Sequence, residues 1–134
     1  MTLVIDASVS AKWVLPEPGS HDAAVLRTED IDLIAPSLVV AEIGNALWKS
    51  ALRGDMAGQD VPHVLRTAAS HYARLIPVET IAADAMKLAI ELKHPIYDCF
   101  YLALAERERA PLVSADKRLL MAAKRMKRIE IRAL

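Results

Sequence analysis

Cysteine is all but missing: Cys99 stands alone in a chain of 134 residues. An internal disulfide is therefore excluded, and the usage fits a reducing compartment. Aromatic residues are scarce at 4%, two Trp, three Tyr and one Phe, so the core has to be built from Ala, Leu, Ile and Val, a composition that leans helical. An excess of charge is lacking too. The 17 Lys and Arg cancel the 17 Asp and Glu, and net charge alone points neither to nucleic acid nor to a membrane surface. No apolar run approaches the length of a membrane span, and no basic segment leads into a long apolar one at the start. These absences predict a soluble, cytoplasmic protein with no membrane partner.

What the chain has in quantity is apolar residues, at 54%. That is enough for one domain over 1–134 with a substantial core, and for apolar surface reserved for a partner. Leu3-Val4-Ile5 and Leu112-Val113-Ser114 read as strands buried on both faces, as in a parallel sheet. Ile31 to Ala35 is a further strand, Leu75-Ile76-Pro77-Val78 a strand end or sheet edge, and Ile129-Glu130-Ile131 a last short strand. Between them lie helical segments: Ser8 to Val14, stopped by Leu15-Pro16-Glu17-Pro18-Gly19; Gly19 to about Arg27; Leu38 to Arg53; about Asp60 to Ala73; a helix capped by Thr80 and running to Lys93; and Tyr97 to Arg109 after the His94-Pro95 break. A basic helix follows Asp116. Alternating strands and helices predict an α/β fold with a parallel sheet covered on both faces. No repeat or low-complexity tract interrupts it.

Four acids stand out by their surroundings. Asp6 directly follows the first apolar strand, where open α/β folds place ligands, and it is equally a cap for the next helix. Glu42 lies in the apolar run Val39-Val40-Ala41-Glu42-Ile43, aligned by helical spacing with Asn45 and Lys49. It belongs either to a solvent stripe or, if Trp48 and Leu52 make this helix largely buried, to a cleft. Asp98 opens an apolar helix, where a first-turn acid suits the helix dipole. Asp116 ends the second apolar strand, with Ser114 a competing cap. In a doubly wound sheet these four can meet at one edge. Clustered carboxylates repel and resist ionisation unless a cation neutralises them. Oxygen-only donors suit Mg²⁺ or Mn²⁺, which can activate water and stabilise a phosphoryl transition state.

The ordered set Val4-Ile5-Asp6-Ala7-Ser8 with Lys12-Trp13, Ala41-Glu42-Ile43-Gly44-Asn45-Ala46-Leu47, Tyr97-Asp98 opening Ala103-Leu104-Ala105, and Leu112-Val113-Ser114-Ala115-Asp116 resembles the PIN-domain ribonucleases, especially the toxins of VapBC toxin–antitoxin systems. The resemblance covers essentially the whole chain. It implies a three-layer α/β/α sandwich, a mostly parallel central sheet, and a metal-dependent endoribonuclease that acts as the toxin of a toxin–antitoxin pair. Transferred by position, Asp6 and Asp98 are metal ligands, and Glu42 and Asp116 complete the catalytic site, with Asp116 also placed at the metal. Ser8, Asn45 and Ser114 are supporting hydrogen-bonders. One or two Mg²⁺ ions, with Mn²⁺ as substitute, would activate water for in-line attack on RNA. Where many members carry Thr, this chain has Ser114, which keeps the hydroxyl, and Cys99 to Ala105 lacks the further acid some members carry. The implied partners are RNA, a cognate antitoxin and a second copy in a homodimer.

From Lys117 onward seven Lys and Arg face one acid, Glu130. Lys117, Arg118, Lys124, Arg125, Lys127 and Arg128 either contact phosphate or serve their own helix dipole. Lys12 and Lys49, close in sequence to the acids, are further phosphate candidates. His21, His63, His71 and His94 show no ligand pairing at helical spacing, which argues against zinc. Trp13 and Trp48 read as core or interface. The alternative to an enzyme is a non-catalytic PIN-fold RNA-binding or scaffold module, whose mark would be a lost acid. An aspartyl phosphatase of the haloacid dehalogenase type fits less well, because Ser8 stands where its second acid belongs. A receiver domain does not carry its acceptor Asp on the first strand.

Overall fold

In the computed structural model, which describes residues 1–28 and 30–134, the apolar runs become five short strands. They are β1 (Thr2–Ile5), β2 (Asp32–Pro36), β3 (Arg74–Ile76), β4 (Leu112–Ser114) and β5 (Ile131–Ala133). All pairings are parallel, and the order across the sheet is β3-β2-β1-β4-β5. The three central strands hold the most apolar residues: Leu3, Val4, Ile5, Leu33, Ile34, Leu112 and Val113 are all buried. β3 lies at an edge, and Pro77, which has no N–H for a ladder, follows it directly.

Among the described residues, seven α-helices connect the strands: α1 (Ala7–Ser10), α2 (Ser20–Val25), α3 (Leu38–Leu52), α4 (Val61–Ser70), α5 (Ala82–Leu92), α6 (Ile96–Glu108) and α7 (Lys117–Met126). From β1 the chain steps outward through β2 to β3, then returns to the other side of β1 for β4 and β5. Right-handed crossovers therefore put α1 to α4 on one face and α5 to α7 on the other. The contacts agree: α3 packs on β2, α1 and α4, whereas α6 packs on β1, β2 and β4 with α5 against it. The result is the three-layer α/β/α sandwich. Its strand order reverses between β1 and β4, and the crevice at the carboxyl ends of two such strands is where open sheets bind ligands.

Three sequence expectations need correction. Thr80 does not cap α5; it closes a 3-10 turn, Val78–Thr80, and its hydroxyl donates to the Pro77 carbonyl at 2.7 Å. The cap position is Ile81, with no side-chain bond. The last strand begins at Ile131 rather than Ile129. Most consequentially, α3 is not largely buried: Trp48 is 55% exposed and Leu52 68%. Only Val39, Ile43, Leu47 and Ser50 of this helix are buried. Trp13, by contrast, packs against the core and donates its indole N–H to the Ala23 carbonyl at 2.9 Å.

The basic segment is partly structural. Arg125 donates to the Leu92 carbonyl at 2.6 Å, satisfying an orphan acceptor at the end of α5. Arg128 reaches both carboxylate oxygens of Glu91 (3.4 and 3.2 Å) and also Glu106 (3.2 Å). These bonds tie the end of α7 to α5 and α6.

Candidate active site

The register Val4↔Leu112 and Ile5↔Val113 brings the residues just beyond β1 and at the end of β4 side by side. Asp6 is 4% exposed. Its Oδ1 accepts from Ser8 Oγ at 2.6 Å and from the Val9 amide at 3.3 Å, and its Oδ2 accepts from Ser114 Oγ at 2.7 Å. Ser114 Oγ also accepts from the Asp116 amide, and Ser8 Oγ from the Ala115 amide, both at 2.9 Å. Two hydroxyls thus lace the two strand ends together and hold one carboxylate between them. Asp116 caps α7 through Oδ1, which accepts from the Arg118 amide at 2.9 Å. Both aspartates therefore cap helices, since Asp6 caps α1.

The other two acids come from opposite helical layers. Glu42 stands on α3 and Asp98 in the first turn of α6. Tyr101, one turn beyond Asp98, donates its hydroxyl to Glu42 Oε1 at 2.5 Å, bridging the layers. Asp98 Oδ2 lies 2.6 Å from His94 Nε2, an i,i+4 pair across the Pro95 break. The pair is a hydrogen bond between one histidine and one acid, at helical spacing.

The acids sense one another. Burial pushes the Asp6 carboxyl up to about 6, opposed by its Ser8, Ser114 and Val9 hydrogen bonds, with Asp116 adding to the rise. Burial also raises Glu42, the Tyr101 bond opposes this, and the charges of Asp98 and Asp116 raise it further. All four predicted acids therefore lie within one electrostatic neighbourhood at the strand-order reversal. Beside them runs an open cleft of about 680 Å³ whose walls include Ser8, Lys12, Glu42, Asn45, Lys49 and Tyr97. Of the four acids only Glu42 lines it; Ala7, Tyr97 and Ala115, next in sequence to Asp6, Asp98 and Asp116, line it as well. Lys12, bonded to Glu17 at 3.2 Å, and Lys49 supply its cations. Asn45 lines the wall but, among the described residues, bonds none of the four acids.

Sequence reasoning missed Tyr101, His94, Tyr97 and Glu17. The first two had a signal in their i+3 and i−4 offsets from Asp98; the cleft positions of Tyr97 and Glu17 had none.

Among the described residues, no three His, Cys, Asp or Glu side chains form a closed metal cage. The donor set nevertheless fits a hard divalent cation that keeps several waters. It is oxygen-only and strongly acidic, and Glu42 Oε2, Asp98 Oδ1 and Asp116 Oδ2 carry no hydrogen bond among the described residues.

Residues 3–125 match the PIN domain family. The chain is 31% identical over 122 residues to Ribonuclease VapC3 of Pyrobaculum aerophilum, covering 89% of this chain and 92% of that protein. Among solved structures, PAE2754 of P. aerophilum superimposes with a TM-score of 0.69 at 24% identity, covering 98% of this chain and 89% of the other. VapBC2 of Rickettsia felis, solved bound to a DNA fragment from its promoter, gives 0.67 at 15% identity, covering 100% and 99%. The family match spans most of the chain and the relative is 31% identical over nearly all of it, and the chain belongs to the PIN domain family.

Proposed function

We propose that this protein is a divalent-metal-dependent endoribonuclease that acts as the toxin of a toxin–antitoxin pair. The observation that carries the reading is the meeting of four carboxylates, from two strand ends and two opposed helices, beside an open cleft lined by lysines. The ribonuclease name of its relative in P. aerophilum supports the same substrate class. Asp6, Asp98 and Asp116 would hold Mg²⁺ or Mn²⁺, with Glu42 beside them. A bound cation supplies Lewis-acid stabilisation of the phosphoryl transition state and a lowered water pKa.

The chain's own residues do the rest. Ser8 and Ser114 orient the Asp6 carboxylate, so its lone pairs face a fixed direction. Glu42, with Oε1 held and Oε2 free, is placed to take a proton from the attacking water, and its raised pKa suits that task. Lys12 and Lys49 attract and align the phosphodiester backbone along the cleft.

The proposal extends to a single domain over 1–134, to the cytoplasm, and to protein partners. No helix is long and apolar enough to cross a membrane among the described residues. Exposed Trp48 and Leu52 on α3 support a covered surface for an antitoxin or a second copy. Co-expression with the product of an adjacent small reading frame, followed by sizing of the complex, tests both.

Purified protein should cut RNA with Mg²⁺ or Mn²⁺, stop with EDTA, and lose activity in Asp6→Asn and Asp98→Asn. Undiminished cutting by both variants would sink the assignment. Tight RNA binding without cleavage would favour the non-catalytic module instead.

A further inference from the structure

Tyr101 is 2% exposed, in the middle of a helix whose neighbouring residues Leu102, Ala103 and Leu104 are buried as well. A phenol hydroxyl so placed needs an acceptor. It finds one outside its own layer, Glu42 Oε1 at 2.5 Å, on the far side of the sheet's carboxyl edge. A second buried phenol backs it. Tyr72 is near enough to influence Tyr101, and its hydroxyl donates at 3.1 Å to the carbonyl of Ile5, the residue before Asp6. Both acid-bearing segments, α3 and the end of β1, are therefore anchored from within by tyrosine hydroxyls.

Glu42 has reason to need an anchor. A glutamate side chain has several rotatable bonds and loses appreciable entropy when fixed. Ala41 and Asn45 beside it on α3 are exposed, so that side of the helix leaves the side chain room to move. One short bond from a rigid, buried donor does confine it, and leaves Oε2 without a hydrogen bond among the described residues. We propose that Tyr101 is the positioning residue for Glu42, its hydroxyl holding one carboxylate oxygen so that the other is presented to the scissile phosphodiester. This inference rests on the nuclease reading above. The ring carbons pack and the hydroxyl acts, so Tyr101→Phe separates the two contributions.

The test is a double-mutant cycle with wild type, Tyr101→Phe, Glu42→Ala and the double variant. RNA cleavage is followed with Mg²⁺ and thermal melting without metal. Tyr101→Phe should lower kcat about tenfold with KM within about twofold, because ground-state binding is untouched. Once Glu42 is truncated there is no carboxylate to hold, so the same tyrosine change should alter the residual rate by less than about twofold. In metal-free melts, Tyr101→Phe should cost less in the Glu42→Ala background than in wild type.

A kcat loss of equal size in both backgrounds overturns the inference, as does an unchanged kcat with a lowered Tm, which would make Tyr101 structural only. If Glu42→Ala turns over too slowly to compare, additive melting shifts overturn it. A wild type that leaves RNA uncut overturns the nuclease reading and this inference with it; a cutting wild type with additive losses overturns the inference alone.

Discussion

Ser114 and Asp6 are 108 residues apart in the chain, and the serine hydroxyl donates to the aspartate at 2.7 Å while accepting from the Asp116 amide at 2.9 Å. One fully buried hydroxyl thus serves two of the four acids. Ser114→Ala would strip a donor from Asp6 and orphan the Asp116 N–H. A buried hydrogen-bonding group left unpaired costs about 1–3 kcal/mol. The variant should melt earlier and need a higher Mg²⁺ concentration for half-maximal cleavage, by about tenfold, the scale on which groups supporting a ligand act. Equal Mg²⁺ requirements in Ser114→Ala and wild type would count against the role of this hydroxyl.

The Asp6 carboxyl, lifted from its ordinary 3.8 to about 6, makes metal-free stability depend on pH. The native state holds this proton more tightly than the unfolded chain does, so Asp6 favours folding below about pH 4. That contribution is lost as pH rises through about 6. A shift of roughly two units corresponds to about 2–3 kcal/mol at most for so buried a group. Metal-free wild type should therefore lose Tm between about pH 4 and 7, and Asp6→Asn should remove much of that slope. Metal uptake should release a proton below about pH 6, measurable by calorimetry in buffers of different ionisation enthalpy. A flat metal-free Tm profile in wild type would contradict the burial effect.

Lys49 lines the cleft, whereas Lys127 lies at the end of α7 and outside its wall. Lys49→Glu should raise KM for RNA and lower the salt dependence of binding by about one phosphate contact, while the same change at Lys127 leaves both nearly unaltered. The opposite ranking would move the RNA path to the basic helix. Filter binding across a salt series distinguishes them.

The central strands could be read directly because they are short and apolar and end abruptly in a polar residue: Leu3 to Ile5 stops at Asp6, and Leu112-Val113 at Ser114. Those same endings exposed two of the four acids. The flanks were harder. Pro77 builds a 3-10 turn before α5 starts, so Thr80, a good cap by composition, is consumed in the turn. For α3, apolar residues occupy more of the circumference than the sheet covers. Trp48 and Leu52 lie at the surface, so of the two readings of Trp48, core or interface, core is excluded. Burial of α3 is thus not what brings Glu42 to the cleft. Glu42 is half-buried, and a tyrosine from the other layer reaches across to it. Contacts between side chains far apart in sequence, such as Tyr101 to Glu42 or Tyr72 to Ile5, leave no periodic trace in a single chain.

The lacing of β1 to β4 also sets a time at which the carboxylates can assemble. Chains emerge and fold from the N-terminus first, and Asp6 is made 108 residues before the serine that holds it. Until β4 docks beside β1, Asp6 and Glu42 belong to an incomplete sheet that lacks Asp98, Tyr101, Ser114 and Asp116. A growing chain shorter than 116 residues therefore lacks at least one of the four acids.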